Sequence, residues 1–249
     1  MIILVTNDDG INSEGIRVLA DAMSEIGEVF IVAPDRQRSA VGLSITLDQP
    51  LRVERLSDRK FSVNGTPSDC VQLAIHSLME TPPDLIISGI NDGHNLGYDI
   101  FCSGTVGGAM VGTMFGIPSI AVSIALSDEY QSEILYDTAA NVAVKVSKAV
   151  IENTIPHGTL LNVNVPNLPI LEIKGIEITR HCNATYDIEI HNRKDPRGKE
   201  YFWVGGVFQI CGDHTNTDLE ALSNNKVSIT PLHLDLTDYE MMKKMSDWF

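Results

Sequence analysis

Ile2-Ile3-Leu4-Val5-Thr6-Asn7-Asp8-Asp9-Gly10 is the stretch that decides how this chain is read. Its apolar, β-branched run has no polar alternation. It reads as a strand buried on both faces, the kind found inside a parallel sheet. Ligands of open α/β sheets bind beyond the carboxyl ends of such strands. Here that end carries two adjacent carboxylates, which raise each other's pKa unless a cation compensates them. A metal or phosphate site accounts for the pair, whereas a lone Asp would more simply cap the next helix.

Outward from this strand, the order of elements gives an α/β fold. Ser13 can cap a helix whose apolar stripe is Ile16, Leu19, Ala20 and Met23, and Glu28 to Ala33 reads as a second strand ended by Pro34. The more polar Thr46 to Val63 suits a hairpin on the sheet edge. Thr66-Pro67-Ser68-Asp69 opens a helix with a capping threonine, proline at the first helical position and an acid three residues after the cap. Asp84 to Ser88 is a further buried strand, followed by a helix over 103–115, a strand over 117–124, a helix over 134–151 and a strand over 159–165. Leu135, Ala139, Val142, Val146 and Ala149 share a face of that last helix. Strands alternating with helices imply a Rossmann-like, doubly wound, mostly parallel sheet. Beyond about residue 180 the pattern loosens. Strands at 175–179, 200–204 and 227–230 flank a polar 181–199 segment, and a terminal helix closes the chain over 237–248. One domain spans 1–249, with a core to about 180 and an extended β arm and helix over 181–249. Such arms often serve subunit exchange.

Composition narrows the function. Lys and Arg number 18 against 33 Asp and Glu, a formal charge of −15, which argues against a phosphate-gripping surface for a nucleic-acid duplex. No stretch reaches the length of a membrane span, and no leader pattern opens the chain. The four cysteines show no metal-binding or redox spacing and fit reduced thiols of a cytoplasmic protein.

Three strand ends supply candidate chemistry. Asp8, Asp9, Ser39 and Asn91 form a set of hard oxygen donors suited to Mg²⁺, Mn²⁺ or Ca²⁺. Taken singly, Asn91 and Asn95 are turn residues. Gly104, Gly108, Gly112 and Gly116 recur every four residues, which bares one helical face for close packing. Ahead of that face, Ser103, Gly104 and Thr105 offer backbone N–H groups, hydroxyls and the positive end of a helix dipole to an anion. Metal beside anion site suggests phosphomonoester hydrolysis. Arg36, Arg38 and His94 read equally well as ordinary surface or loop residues.

These segments together closely resemble the SurE family of stationary-phase survival proteins. The matching stretches are Ile3 to Gly10, Val32-Ala33-Pro34-Asp35-Arg36-Gln37-Arg38-Ser39, Gly65 to Val71, Ser88-Gly89-Ile90-Asn91, Ser103-Gly104-Thr105-Val106, Leu161 to Pro166 and Val227 to Leu232. The resemblance implies a metal-dependent nucleotidase acting on nucleoside 5′- and 3′-monophosphates, some members also attacking short polyphosphate. It implies one divalent cation per subunit on Asp8, Asp9, Ser39 and Asn91, with Asp8 and Asp9 at the catalytic centre and Asn95, Ser103, Gly104 and Thr105 on the substrate side. It also implies homodimers or homotetramers formed through an exchanged C-terminal arm. One departure stands out: Gly93-His94-Asn95 replaces the family's usual Gly-Pro-Asn and frees the loop backbone.

Two other classes compete. A phosphoaspartyl hydrolase needs Asp-x-Asp rather than adjacent acids. A receiver-like sensor needs a phosphoacceptor Asp at a later strand end, where this chain has Ser88 and Gly89. Phosphate release from a nucleotide separates an enzyme from a sensor.

Overall fold

The computed structural model describes residues 1–126 and 133–249. In chain order it contains β1 (Ile2–Thr6), α1 (Glu14–Met23), β2 (Glu28–Pro34), β3 (Val53–Ser57), β4 (Lys60–Val63), α2 (Pro67–Leu73), β5 (Leu85–Asp92), α3 (Gly104–Met114), β6 (Ser119–Ala125), α4 (Tyr136–Glu152) and β7 (Thr159–Pro166). There follow β8 (Ile176–Ile178), β9 (Ala184–Lys194), β10 (Glu200–Ile210), α5 (Asp218–Ser223), β11 (Val227–His233) and α6 (Tyr239–Met245).

Nine strands form one sheet in the order β3-β4-β2-β1-β5-β6-β7-β11-β8. β1 runs parallel to β2 on one side and to β5 on the other. The chain therefore winds outward from β1 in one direction and then returns to its opposite side. That reversal creates the switch point at which ligands of such sheets bind. β1 is buried on both faces, as its sequence requires. Ile3 and Val5 join the core beneath α1 and α4, whereas Leu4 joins the cluster beneath α2 and α3.

The helix starts follow their sequence signals. Ser13 caps α1, accepting from the Ile16 N–H. Thr66 and Asp69 form a reciprocal capping box at α2, with Pro67 in its first turn. The Asp69 carboxylate also accepts from the Thr46 N–H and hydroxyl at 2.8 and 2.6 Å, which fastens the 40–50 loop to the helix.

Several expectations need correction. β5 does not end at Ser88 but continues to Asp92 after a register shift against β6, so Asn91 lies on a strand. Gly89 makes this possible: its φ is +147°, and a Cβ there would lie 2.3 Å from the Val122 carbonyl oxygen. The polar 181–199 segment is not a spacer. Most of it is β9, paired antiparallel with β10 over eleven residue pairs in a separate two-stranded sheet. Alternating side chains of a two-stranded ribbon need no buried face, so its polarity does not forbid a strand. β10 accordingly runs well past residue 204. The segment beyond 180 is not all arm either, because β11 returns to the main sheet between β7 and β8. Its antiparallel pairing with β7, and that of β3 with β4, are the two departures from a parallel sheet. α5 was not foreseen. Ala149 faces solvent, and Val150 takes the expected place in the core. Gly116 lies past α3 at φ +77°, where it ends the helix rather than extending the bare face.

Candidate active site

Asn7 builds the turn that presents the two acids. It is buried, its Oδ1 accepts from the Gly10 N–H at 3.1 Å, and its Nδ2 donates to Ser13 Oγ at 2.7 Å. Gly10 turns at φ +100°, and a Cβ there would press within 3.0 Å of the Arg36 backbone. The loop after β1 is thereby locked against the loop after β2. The Arg38 N–H donates to the Asp8 carbonyl oxygen at 2.6 Å, which ties the residue before Ser39 to the backbone of the acid pair. From the other side, the Asp92 N–H approaches Asp9 Oδ2 at 3.4 Å and carries the Asn91 end of β5 to the same place.

Asp8 is buried against the start of α3. Thr105 Oγ1 donates to its Oδ1 at 2.5 Å, and a Cβ on Gly104 would lie 2.8 Å from the Asp8 Cβ. Only glycine at 104 lets the carboxylate reach the helix terminus. Burial pushes the Asp8 carboxyl above its ordinary range, while Thr105 and the backbone N–H groups of residues 104 and 105 pull it back. Asp9 has less help. Burial first, then the charges of Asp8 and Asp92, push it up to about 7. Neither acid forms an ion pair with a Lys, Arg or His among the described residues.

The other candidate residues are held in defined ways. Asn91 Nδ2 donates to the Gly93 carbonyl at 2.8 Å, which fixes the orientation of its amide. Ser39 is exposed, and its Oγ accepts from Gln37 Nε2 at 2.9 Å. Asn95 is buried: Nδ2 donates to Ser123 Oγ at 2.7 Å, while its backbone bonds the side chains of Asn162 and Asn164. That asparagine lattice braces the loop against β6 and β7. Ser103 Oγ caps α3 by accepting from the Val106 N–H at 3.1 Å, a bond that does not use its own O–H proton.

Among the described residues no group of three His, Cys, Asp or Glu could hold a metal. The acid pair with hydroxyl and amide oxygens nevertheless suits a hard divalent cation, since a buried and a half-buried carboxylate that repel each other without a counter-charge are what such a cation relieves.

Similarity to other proteins gives the family. The family model "Survival protein SurE" matches residues 3–188. The chain belongs to the SurE family. Over its whole length it is 48% identical to the 5′-nucleotidase SurE of Pelobacter propionicus, of which it covers 99%. It is 43% identical over 99% of its length to the 5′-nucleotidase SurE of Moorella thermoacetica, covering 95% of that protein. The crystal structure of the SurE protein from Aquifex aeolicus superposes with a TM-score of 0.87 at 43% identity, across 100% of this chain and 99% of that one.

Around these candidate residues of the SurE chain, sequence reasoning assigned no role to Asn7, Gly89 or Asp92. Asn7 builds the turn, and Gly89 admits the β5 shift. Asp92 adds a third acid beside Asp9, and its Oδ1 accepts from Tyr136 Oη at 2.5 Å. Asp92 was legible as an acid next to Asn91. Tyr136 comes from α4, remote in sequence, and carries no local signal. Of the basic residues, Arg38 donates to the Asn64 carbonyl at 2.6 Å and pairs with Asp35 at 3.5 Å, while Arg36 is exposed. Burial lowers the His94 pKa, against the charges of Asp99 and Asp218, which raise it.

Proposed function

We propose that this protein is a metal-dependent phosphatase that hydrolyses nucleoside 5′- and 3′-monophosphates to nucleoside and phosphate, with short polyphosphate as a further substrate. The observation that carries the reading is the Asp8–Asp9 pair at the switch point of the sheet, with Asp9 pushed up to about 7 and no cationic partner among the described residues. One divalent cation per subunit, Mg²⁺, Mn²⁺ or Ca²⁺, would be held by Asp8, Asp9, Ser39 and Asn91. When bound it supplies Lewis acidity and a water acidified toward neutrality.

The protein's own residues do the rest. Thr105 and the first turn of α3 hold the Asp8 carboxylate in one orientation. The N-terminal dipole of α3 at Ser103, Gly104 and Thr105 favours an anionic phosphoryl group next to that carboxylate. Asn95 braces the opposite loop on the substrate side. Subunit exchange through the C-terminal arm, as a homodimer or homotetramer, is supported by the exposed apolar residues of β9, β10 and α6. A cytoplasmic place fits the four unpaired cysteines, and no helix among the described residues is long and apolar enough to cross a membrane.

The test is phosphate release from a panel of nucleoside monophosphates and tripolyphosphate, after chelation and then with Mg²⁺ or Mn²⁺ restored. Activity lost with chelator and regained with metal is expected. Absence of release from every substrate, with metal bound, would overturn the assignment and favour a sensor.

A further inference from the structure

We infer that the exposed rings of Tyr98 and Phe101 form the surface on which the base of a nucleotide substrate stacks. The inference rests on the nucleotidase reading above and names the residues through which that site would discriminate among phosphomonoesters.

The two rings lie on the 3₁₀ turn Gly97–Phe101, between Asn95 and the cap of α3. Residues three apart in such a turn eclipse one another. Tyr98 and Phe101 therefore share one face, with ring centroids 6.3 Å apart and planes inclined by 30°. Ile100 takes the opposite face and is buried with Val106 and Ala109. The turn thus satisfies its core through Ile100, yet leaves Tyr98 49% and Phe101 51% exposed. Two half-exposed rings side by side cost hydration and are not needed to hold the turn.

Their position gives them a use. Phe101 lies two residues before Ser103, which places it within about 8 Å of the start of α3 along the backbone. It also borders the loop that carries Ser39. The Gly42 N–H donates to the Cys102 carbonyl at 2.8 Å, and a Cβ on Gly42 would lie 2.8 Å from the Phe101 carbonyl oxygen. A phosphate at Asp8 and α3, followed by a ribose, would bring the base to these rings. Every base has a π-face, so stacking gives affinity for nucleotides without strong choice among bases.

The surface is also held rigid. Asp218 is fully buried, and its carboxylate accepts from the Gly97 N–H at 3.2 Å and from the Cys182 N–H at 2.8 Å. It pins the turn to the base of the β9–β10 hairpin, where the His181 ring lies 6.1 Å from Tyr98. A preorganised ring pair loses little freedom when a base settles on it.

The experiment compares kcat/KM for AMP with kcat/KM for ribose 5-phosphate, which carries the same phosphate and sugar but no base. In the unaltered protein the ratio should exceed one. Phe101→Ala and Tyr98→Ala should each lower it by about tenfold, chiefly through KM for AMP. Phe101→Tyr, which keeps a ring, should restore it. A ratio of one in the unaltered protein, or a ratio unmoved in both alanine variants, would overturn the proposal while leaving the phosphatase reading intact. Equal loss on both substrates would do the same, by giving the rings a structural role. So would a fall in the mass of the particle by light scattering, which would make the rings a subunit contact. If the unaltered protein releases phosphate from neither compound with metal bound, the nucleotidase reading fails first and this inference with it.

Discussion

Asp8 and Asp9 are neighbours in sequence and opposites in environment. Asp8 is tied to Thr105 and the start of α3, while Asp9 is loaded by burial and by two other acids. Asp8→Asn or Asp9→Asn keeps the volume but removes a ligand charge. Activity at saturating metal should fall at least about a hundredfold, since even loss of a supporting partner can cost that much, with thermal stability retained. Full turnover by a folded Asp8→Asn protein would refute the site. The pH dependence of stability follows from Asp9. Its carboxyl has an ordinary value of 3.8 and rises to about 7 in the fold. Between those values the fold keeps a proton that the unfolded chain has released, so metal-free stability drops as pH climbs from about 4 to 7. A cation that binds the ionised carboxylates cancels the loss. The rise in Tm on adding Mn²⁺ should therefore be larger at pH 8 than at pH 5, and metal-free Asp9→Asn should show a flatter Tm profile across that range. Parallel profiles for the two proteins would contradict the burial argument.

α3 shows how an element can serve packing and chemistry at once. At its first turn Gly104 makes room for Asp8. Farther along, a Cβ on Gly108 would lie 3.0 Å from Ser88 Oγ and 3.2 Å from Thr6 Cγ2, and one on Gly112 would lie 2.4 Å from Ser119 Oγ. The bare face thus lets the helix lie directly on β1, β5 and β6, which keeps its N-terminus level with the strand ends. Gly108→Leu should cost about 1–3 kcal/mol or more through overpacking. The expected result is a drop of several degrees in Tm with little change in KM for whatever folds. Soluble protein of unaltered Tm would show that the face has slack. The repeat of four was legible in the sequence and so was the close packing it implied. Which strands it would meet was not, because a bare helical face specifies a distance and not a partner.

At the scale of the molecule, the C-terminal third divides its work. β11 completes the main sheet, while β9 and β10 stand apart with Ile188, Ile190, Phe202, Trp203, Val204 and Val207 exposed, and α6 buries none of its residues. An apolar ribbon of that kind is the surface that the proposed subunit exchange would cover. Replacing Trp203 and Val204 together by Lys should reduce the particle mass seen by light scattering, with the monomer's fold kept. An unchanged mass would send the search for the subunit contact elsewhere on the surface.

Sequence alone determined what depends on near neighbours. The buried run of β1, the caps at Ser13 and Thr66 and the acid pair at the end of β1 were all readable, because periodicity, capping and charge repulsion act over a few residues. The tertiary structure alone decided what depends on chains meeting from afar. It brought Tyr136 to Asp92 and Asp218 to Gly97, carried β5 past Gly89, and turned a polar stretch into β9 by giving it β10 as a partner. Those contacts join residues tens of positions apart in most cases, and no local pattern encodes which distant surface will complete a hydrogen bond.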